Sequence, residues 1–141
     1  KKYLPITDTR MTRFFLTLEA GVKLVLNSFK DMVGGEIFIP KIPSIKIIDL
    51  AKAIAPHLKH KIIGIRPGEK LHEILCPKDL TEYTYEFKNS YIIFSPILEY
   101  RNSNKLTKIL SKGKKVKDNF EYTSGNNPHF LTKNKIIKLL N

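Results

Sequence analysis

Two arginines, Arg10 and Arg13, form the first pattern in the sequence that points to chemistry. They lie three residues apart in LPITDTRMTRFFL (residues 4–16), at the predicted beginning of a helix, so they would project from neighbouring parts of one face. A helix amino terminus with unpaired N–H groups, combined with guanidinium groups, suits an anionic ligand such as a diphosphate. The spacing alone has little specificity, however, and favours the alternative of two solvated surface cations.

A second pattern, an arginine followed by a carboxylate, lies in GIRPGEKLHE (residues 64–73). Arg66 leaves a predicted strand, Pro67 and Gly68 turn the chain, and Glu69 opens a predicted short helix. Held three residues apart on a rigid turn, the arginine suits a phosphate and the carboxylate suits sugar hydroxyls. Alternatively, Glu69 is a favourable charge in a first helical turn and Arg66 is its salt-bridge partner. The residues themselves leave both interpretations open.

The other reactive side chains form no recognisable catalytic centre. His72 is a conceivable base, but packing or local hydrogen bonding is favoured, and the remaining histidines have no metal-ligand spacing. Cys76 is the single cysteine, so it offers neither an internal disulfide nor a zinc framework. The sequence contains no GxGxxG turn, no YxxxK pair and no P-loop. We therefore predict no catalytic residues, no cofactor-binding residues and no metal ligands in this chain.

The elements that must position these groups are short helices and strands in mixed order. Apolar residues at three- and four-residue spacings predict an amphipathic helix over residues 12–30, with Asp8 or Thr9 as its cap. This order of elements predicts a mixed α/β fold without a full dinucleotide-binding sheet. Residues 2–7 form a short segment of extended character. The predicted helices cover residues 12–30, 47–55, 69–75 and a final stretch capped by Thr132, and the predicted strands cover residues 36–39, 61–65 and a hairpin of 84–87 with 91–94.

Composition narrows the class of protein. A length of 141 residues with 42% hydrophobic residues fits one domain, and no run of about 18 apolar residues predicts a membrane span. We expect a soluble cytoplasmic protein. The net charge of +12 suggests nucleic-acid binding as one function. However, 21 of the 25 basic residues are lysines spread along the chain, which indicates a compositional bias and weakens that interpretation. A non-enzymatic module that binds nucleic acid or anionic surfaces through Lys105 to Lys117 remains the alternative function.

Four longer strings of residues carry a resemblance to a known family. Together they resemble the carboxy-terminal portion of bacterial UDP-N-acetylglucosamine 4,6-dehydratases, the inverting enzymes that begin pseudaminic acid synthesis. The resemblance covers nearly the whole chain, and IPKIPS and GIRPGEKLHE are specific strings. The four are PITDTRMTRF (5–14), GGEIFIPKIPSIKIIDLAKAIAP (34–56), IGIRPGEKLHE (63–73) and YTSGNNPHFLT (122–132).

The resemblance implies a fold, a reaction and a set of ligand contacts. These enzymes are extended short-chain dehydrogenases with an amino-terminal Rossmann domain for NADP and a smaller carboxy-terminal domain for the UDP-sugar. They oxidise C4 of the sugar, eliminate water across C5 and C6, and return the hydride to C6 with inversion at C5. The catalytic Asp, Lys and Tyr would lie upstream of this chain. By motif match, Arg13 and Arg66 would contact the diphosphate or uridine, Glu69 would hold ribose hydroxyls, and Ile6, Thr7 and Met11 would line the pocket.

The same resemblance implies that residues 1–141 are a single carboxy-terminal UDP-sugar-binding domain without the Rossmann domain. Such a chain would be inactive alone and would expose apolar surface that packs on the cofactor domain in an intact enzyme. A truncated or split gene product fits this expectation. Its partners would be UDP-N-acetylglucosamine or a related UDP-sugar, a separate Rossmann-domain chain, and further copies in a homo-oligomer such as a hexamer. A degenerate remnant without function is a third hypothesis.

Overall fold

The structure, a computed structural model, describes residues 2–97 and 104–140. The short helices and strands confirm the predicted mixed α/β class. In chain order the elements are β1 (Tyr3–Ile6), β2 (Thr12–Phe14), α1 (Leu18–Asp31), β3 (Ile37–Pro40), β4 (Ser44–Lys46), α2 (Ile47–Ile54), β5 (Lys59–Ile62), β6 (Ile74–Cys76), a 3₁₀ helix (Lys78–Tyr83), β7 (Thr84–Glu86), β8 (Ser90–Ile93), α3 (Asn104–Leu110), β9 (Lys114–Lys115), β10 (Tyr122–Thr123) and α4 (Lys133–Leu140).

Contacts divide the chain into two compact units, each assembled from segments that are distant in sequence. The prediction of one UDP-sugar-binding domain over residues 1–141 stays a prediction. The first unit comprises Lys1–Phe15, Ile42–Ile74 and Thr123–Asn141, and the second comprises Leu16–Lys41 and Leu75–Tyr122.

The first unit combines two small sheets with a pair of helices. β1 pairs with β5 in parallel, and β2 pairs with β4 in the antiparallel sense, with Arg13 opposite Ile45. α2 packs against α4, β1 and β4, so these elements share one apolar core. The buried apolar residues of the unit are Ile6, Met11, Ile45, Ala51, Ala55 and Ile136.

The second unit is built on an antiparallel sheet with the strand order β3-β8-β7-β9. β7 and β8 form the predicted hairpin, in which Tyr85 lies opposite Ile92. Leu106 of α3 packs with Ile92 and Phe94 in the core of this unit. The rings of Tyr85 and Phe94 add an edge-to-face contact with 5.6 Å between their centroids. The lysine-rich stretch is ordered here as α3 and β9.

Two of the predicted helices are wrong in part or in whole. The segment 12–14 is a strand because its backbone pairs with β4, and the helix begins only at Leu18, after Thr17 caps it by accepting from the Ala20 N–H at 3.3 Å. Residues 69–75 form no helix, since the turn runs through bends into strand β6. The predictions of α2 and of the final helix after Thr132 are confirmed.

Helix α1 exposes its apolar face. Within the described residues, no helix is long and apolar enough to cross a bilayer, and α1 contains no buried residue. The exposed side chains recur at helical spacings of three, four and seven residues, so they form one stripe. This confirms the expected exposed apolar surface. The stripe, called the α1 face below, consists of Leu18 (86% exposed), Val22 (51%), Val25 (52%), Leu26 (57%) and Phe29 (67%).

Candidate functional site

Arg13 lies on strand β2, so the prediction that Arg10 and Arg13 sit at a helix amino terminus is wrong. The Arg13 guanidinium group donates through Nη1 to the carbonyl of Leu71 at 3.3 Å and through Nη2 to the carbonyl of Lys70 at 3.0 Å. Its Nε lies 3.3 Å from Oε1 of Glu73. With its side chain 25% exposed, Arg13 is a clamp on the segment that follows the GIRPGE turn. It is not a freely solvated cation.

Residues Arg66 to Glu69 form a hydrogen-bonded turn at the surface of the first unit. The Glu69 N–H donates to the Arg66 carbonyl at 3.0 Å, and Gly68 has a φ of 79°. Proline at the second position and a positive φ at the third are typical of a type II turn, in which glycine avoids the clash of a Cβ. Arg66, Pro67 and Gly68 are all exposed. The predicted turn is therefore confirmed.

The Glu69 carboxylate reaches back across this turn. Its Oε2 accepts from the backbone N–H of Arg66 at 3.2 Å, which fixes the acid against the turn. Among the ion pairs of the described residues, none involves the Arg66 guanidinium group. The alternative in which the two side chains are simply salt-bridge partners is therefore wrong. Arg66 presents an exposed planar donor group that suits a phosphate.

A buried hydrogen-bond network adjoins this turn. Thr12 Oγ1 lies 2.7 Å from His72 Nδ1 and 2.7 Å from Ser124 Oγ, and Ser124 Oγ accepts from the Glu73 N–H at 2.9 Å. Thr12 is 4% exposed and Ser124 is fully buried. His72 thus makes the hydrogen bond that the favoured interpretation assigned to it. Sequence reasoning missed Thr12 and Ser124, because no local pattern links residues 112 positions apart.

The three predicted pocket-lining residues occupy different environments. Ile6 and Met11 are each 3% exposed and belong to the core of the first unit, whereas Thr7 is partly exposed. Backbone groups tie the first two in place, because Ile6 accepts from the Ile63 N–H at 2.9 Å and Met11 accepts from the Ile47 N–H at 2.9 Å. Their contact with a ligand stays a prediction.

Arg10 behaves as a surface cation. Its side chain is 70% exposed, and Nη2 lies 2.8 Å from Oδ2 of Asp8. The hydrogen bonds from the Arg10 side chain and backbone lower the pKa of the Asp8 carboxyl group from 3.8 to about 2. Because the Arg10 guanidinium group is already paired with Asp8, substitution of Arg10 provides a control for substitution of Arg66.

The Asp8 pKa makes a testable prediction about pH. Because the pKa is lowered in the folded chain, the ionised carboxylate stabilises the fold above pH 3.8, and this contribution is lost as the pH falls toward about 2. NMR of the side-chain carboxyl carbon should show Asp8 still mostly ionised at pH 3. In Arg10→Ala the midpoint should move up toward 3.8. A midpoint that is the same in both proteins would contradict the assigned pair.

The six lysines between Lys105 and Lys117 lie in the second unit and are all exposed. One of them, Lys105, donates to the carbonyl of Met32 at 2.6 Å, so part of this charge is tied to the fold. The Arg66 turn belongs to the first unit. The two candidate anion-binding features are thus carried by different parts of the chain and can be altered independently.

Comparison with known proteins identifies relatives along nearly the whole chain. The family model described as polysaccharide biosynthesis protein matches residues 1–95. The UDP-N-acetylglucosamine 4,6-dehydratase (inverting) of Campylobacter jejuni serotype O:2 is 55% identical over 99% of this chain and 42% of its own length. The UDP-glucose 4-epimerase of Rickettsia rickettsii is 34% identical over 89% of this chain and 37% of its own length.

A solved structure supports the same relationship. The X-ray structure of Pen from Bacillus thuringiensis matches with a TM-score of 0.78 and 28% sequence identity, over 99% of this chain and 41% of that one. Across these comparisons the chain spans about two fifths of the length of the proteins that it matches.

Proposed function

Since this chain belongs to the polysaccharide biosynthesis protein family, we propose that it is the nucleotide-sugar-binding part of a UDP-N-acetylglucosamine 4,6-dehydratase. The observation that carries the proposal is the exposed Arg66 guanidinium group on a type II turn, with Glu69 fixed against that turn. The 55% identity to the Campylobacter dehydratase supports the choice of substrate. UDP-N-acetylglucosamine supplies a diphosphate for Arg66 and ribose hydroxyls for Glu69.

Finer parts of the proposal concern the whole enzyme. NADP as cofactor, inversion at C5, a role in pseudaminic acid synthesis, a homo-oligomeric assembly and a cytoplasmic location all rest on the resemblance to the dehydratases. Residues outside this chain supply the catalytic Asp, Lys and Tyr. The present chain contributes binding and orientation of the substrate, and it is inactive alone.

Among residues 2–97 and 104–140, no glycine-containing turn fits a nicotinamide cofactor. A dinucleotide site needs a glycine-rich turn that follows a strand and opens a helix. Gly34 and Gly35 have the opposite arrangement, because they follow α1 and precede β3, and Gly68 leads into a loop. We therefore place no step of the hydride chemistry on this chain, and the cofactor belongs to another domain.

The α1 face is the surface on which that cofactor domain docks. The relatives are more than twice as long as this chain, so an intact enzyme contains a further large segment. An apolar stripe of this size is costly to leave in water and is typical of a surface that another domain covers. The docking partner is a cofactor domain supplied in the same polypeptide or as a separate chain.

The substrate site can be tested by calorimetry with UDP-N-acetylglucosamine. This chain is mixed with the amino-terminal cofactor domain of the Campylobacter relative, and the dissociation constant is compared with that of Arg66→Ala. We expect affinity to fall about ten- to hundredfold, since a hydrogen bond to a charged group contributes about 1.5–3 kcal/mol.

Arg10→Ala is the matched control for this experiment. It removes the same charge from the same unit, but Arg10 is already paired with Asp8. Its affinity for the UDP-sugar should stay within about twofold of the unaltered chain. Equal affinity in all three proteins would refute the proposed site, and an equal loss in both variants would reduce it to general electrostatic attraction.

A further inference from the structure

The loop that carries Arg66 and Glu69 is anchored at both ends. At its start, the Ile63 N–H donates to the carbonyl of Ile6 at 2.9 Å, directly after β5. Residues 64–69 then lack regular structure and are mostly exposed. Between the anchors, the contacts of Arg66 and Glu69 are the two hydrogen bonds that they make with each other. Their position therefore depends on how firmly the two ends are held.

At the far end of the loop, every residue from 70 to 73 is fixed by a group from another segment. The carbonyls of Lys70 and Leu71 accept from Arg13, and the Leu71 carbonyl also accepts from the Thr12 N–H at 3.1 Å. His72 contacts Thr12 through its ring. Glu73 donates its N–H to Ser124 Oγ and accepts from the Ser124 N–H at 2.8 Å.

Thr12 is the centre of this anchor because its hydroxyl group joins His72 to Ser124. If His72 Nδ1 accepts from Thr12, the Ser124 hydroxyl donates to Thr12 Oγ1. If Nδ1 carries the proton, Thr12 donates to Ser124 Oγ, and Ser124 donates to the Thr12 carbonyl at 3.2 Å. In either tautomer the Thr12 hydroxyl group bonds both His72 and Ser124, whereas the bond from Ser124 to the Thr12 carbonyl forms only in the second arrangement.

Close packing against Gly125 also restricts the position of the His72 ring. A Cβ added at Gly125 would lie 2.7 Å from Cγ of His72, closer than real side chains approach. The ring therefore fills the space beside this glycine. Hydrogen bonding and close packing act together on the same side chain.

The geometry points to Thr12, His72 and Ser124 as positioning residues, which set the location of the Arg66 turn for the phosphates of the nucleotide-sugar. This inference rests on the proposed substrate site and adds residues to it that do not contact the ligand. Their effect is indirect, because they restrict the far end of the loop before the ligand binds. Less of the binding free energy is then lost in ordering Arg66 and Glu69.

Thr12→Val tests the inference, because valine keeps the shape and strand preference of threonine but removes the hydroxyl group. Two quantities are measured on the chain with its cofactor domain supplied: the dissociation constant for UDP and hydrogen exchange of residues 64–73. We expect UDP affinity to fall about three- to tenfold, with faster exchange in that segment. Thr12→Ser keeps the hydroxyl group, so its UDP affinity and its hydrogen exchange in residues 64–73 should match those of the unaltered chain.

Thr84→Val is the matched control. Thr84 is fully buried in the second unit, where its hydroxyl donates to the Leu80 carbonyl at 2.7 Å. The same chemical change there should lower thermal stability without altering UDP affinity or exchange in residues 64–73. If Thr12→Val and Thr84→Val lower affinity equally, the effect is one of stability and the positioning role is overturned.

Gly125→Ala gives a second test in case Thr12→Val fails to fold. It displaces the His72 ring and removes no hydrogen-bonding group, so it should also weaken UDP binding. Gly21→Ala is its control, because a Cβ there meets only Leu16 Cδ2 at an ordinary 3.7 Å. Unchanged UDP affinity in Gly125→Ala would overturn the positioning role.

The outcome for Arg66→Ala separates this inference from the proposed function. If Arg66→Ala weakens UDP binding and Thr12→Val does not, only the positioning role fails. If Arg66→Ala has no effect, or the unaltered chain does not bind UDP, the proposed function fails and the positioning role is overturned with it.

Discussion

Replacing Val22 and Phe29 by lysine is expected to weaken the association of this chain with the proposed cofactor domain. Both side chains lie on the α1 face and are at least half exposed, at 51% and 67%. Full burial of a valine or phenylalanine contributes about 1.5–3 kcal/mol, and about half to two thirds of each side chain remains to be buried. Losing both should therefore weaken association by about 20- to 400-fold. Lysine is a good helix former, so α1 itself should persist. Sedimentation velocity with the separately supplied cofactor domain measures the change.

Ala20→Lys with Asn27→Lys is the matched control for this pair. These two exposed residues are also seven apart on α1, but they lie on the opposite side of the helix. The two lysine substitutions of this control add the same two charges and should leave the association nearly unchanged. The variant with Val22→Lys and Phe29→Lys should also reduce self-association of the isolated chain, because it interrupts the apolar stripe. An equal loss of association in both double variants would show that the cofactor domain docks elsewhere.

In the α1 segment, apolar periodicity predicts the helix but neither its first residue nor the surface that covers its apolar face. The spacing of Leu18, Val22, Val25 and Phe29 correctly predicts an amphipathic helix, because helical periodicity is a local property. It does not indicate what covers that face, which is exposed in the described part of the chain. The same pattern predicts a helix from residue 12, but the helix begins at Leu18, because the backbone of β2 pairs with β4 about 32 residues further along.

The candidate site divides in the same way between local and distant determinants. The Arg66 turn was predictable because proline followed by glycine specifies a turn within four residues. The roles of Arg13 and Thr12 were not, since their partners lie about 60 residues away. A pair of arginines three residues apart thus divides into one surface cation and one clamp, and only the tertiary structure distinguishes them.

Ile136→Ala is expected to destabilise the first unit by about 2–5 kcal/mol, the usual cost of truncating a fully buried isoleucine. Ile136 is 0% exposed on α4, which packs against α2. A small domain is stable by only about 5–15 kcal/mol, so this loss consumes a large part of the total. Urea unfolding measures it, with Leu139→Ala as the control. Leu139 lies on the same helix at 48% exposure and should cost under about 1 kcal/mol.

UDP should then distinguish a core defect from a site defect. In Ile136→Ala the Arg66 turn is chemically intact, so UDP at about 100 times its dissociation constant should restore about 2.7 kcal/mol of stability. Arg66→Ala should show nearly normal unfolding in the absence of ligand and only about 0.4–1.4 kcal/mol of stabilisation at the same UDP concentration, because its affinity is about ten- to hundredfold lower. Equal stabilisation of both variants by UDP would mean that the nucleotide binds away from the turn. Because the two defects lie in one unit but act on different equilibria, this comparison tests the fold and the site together.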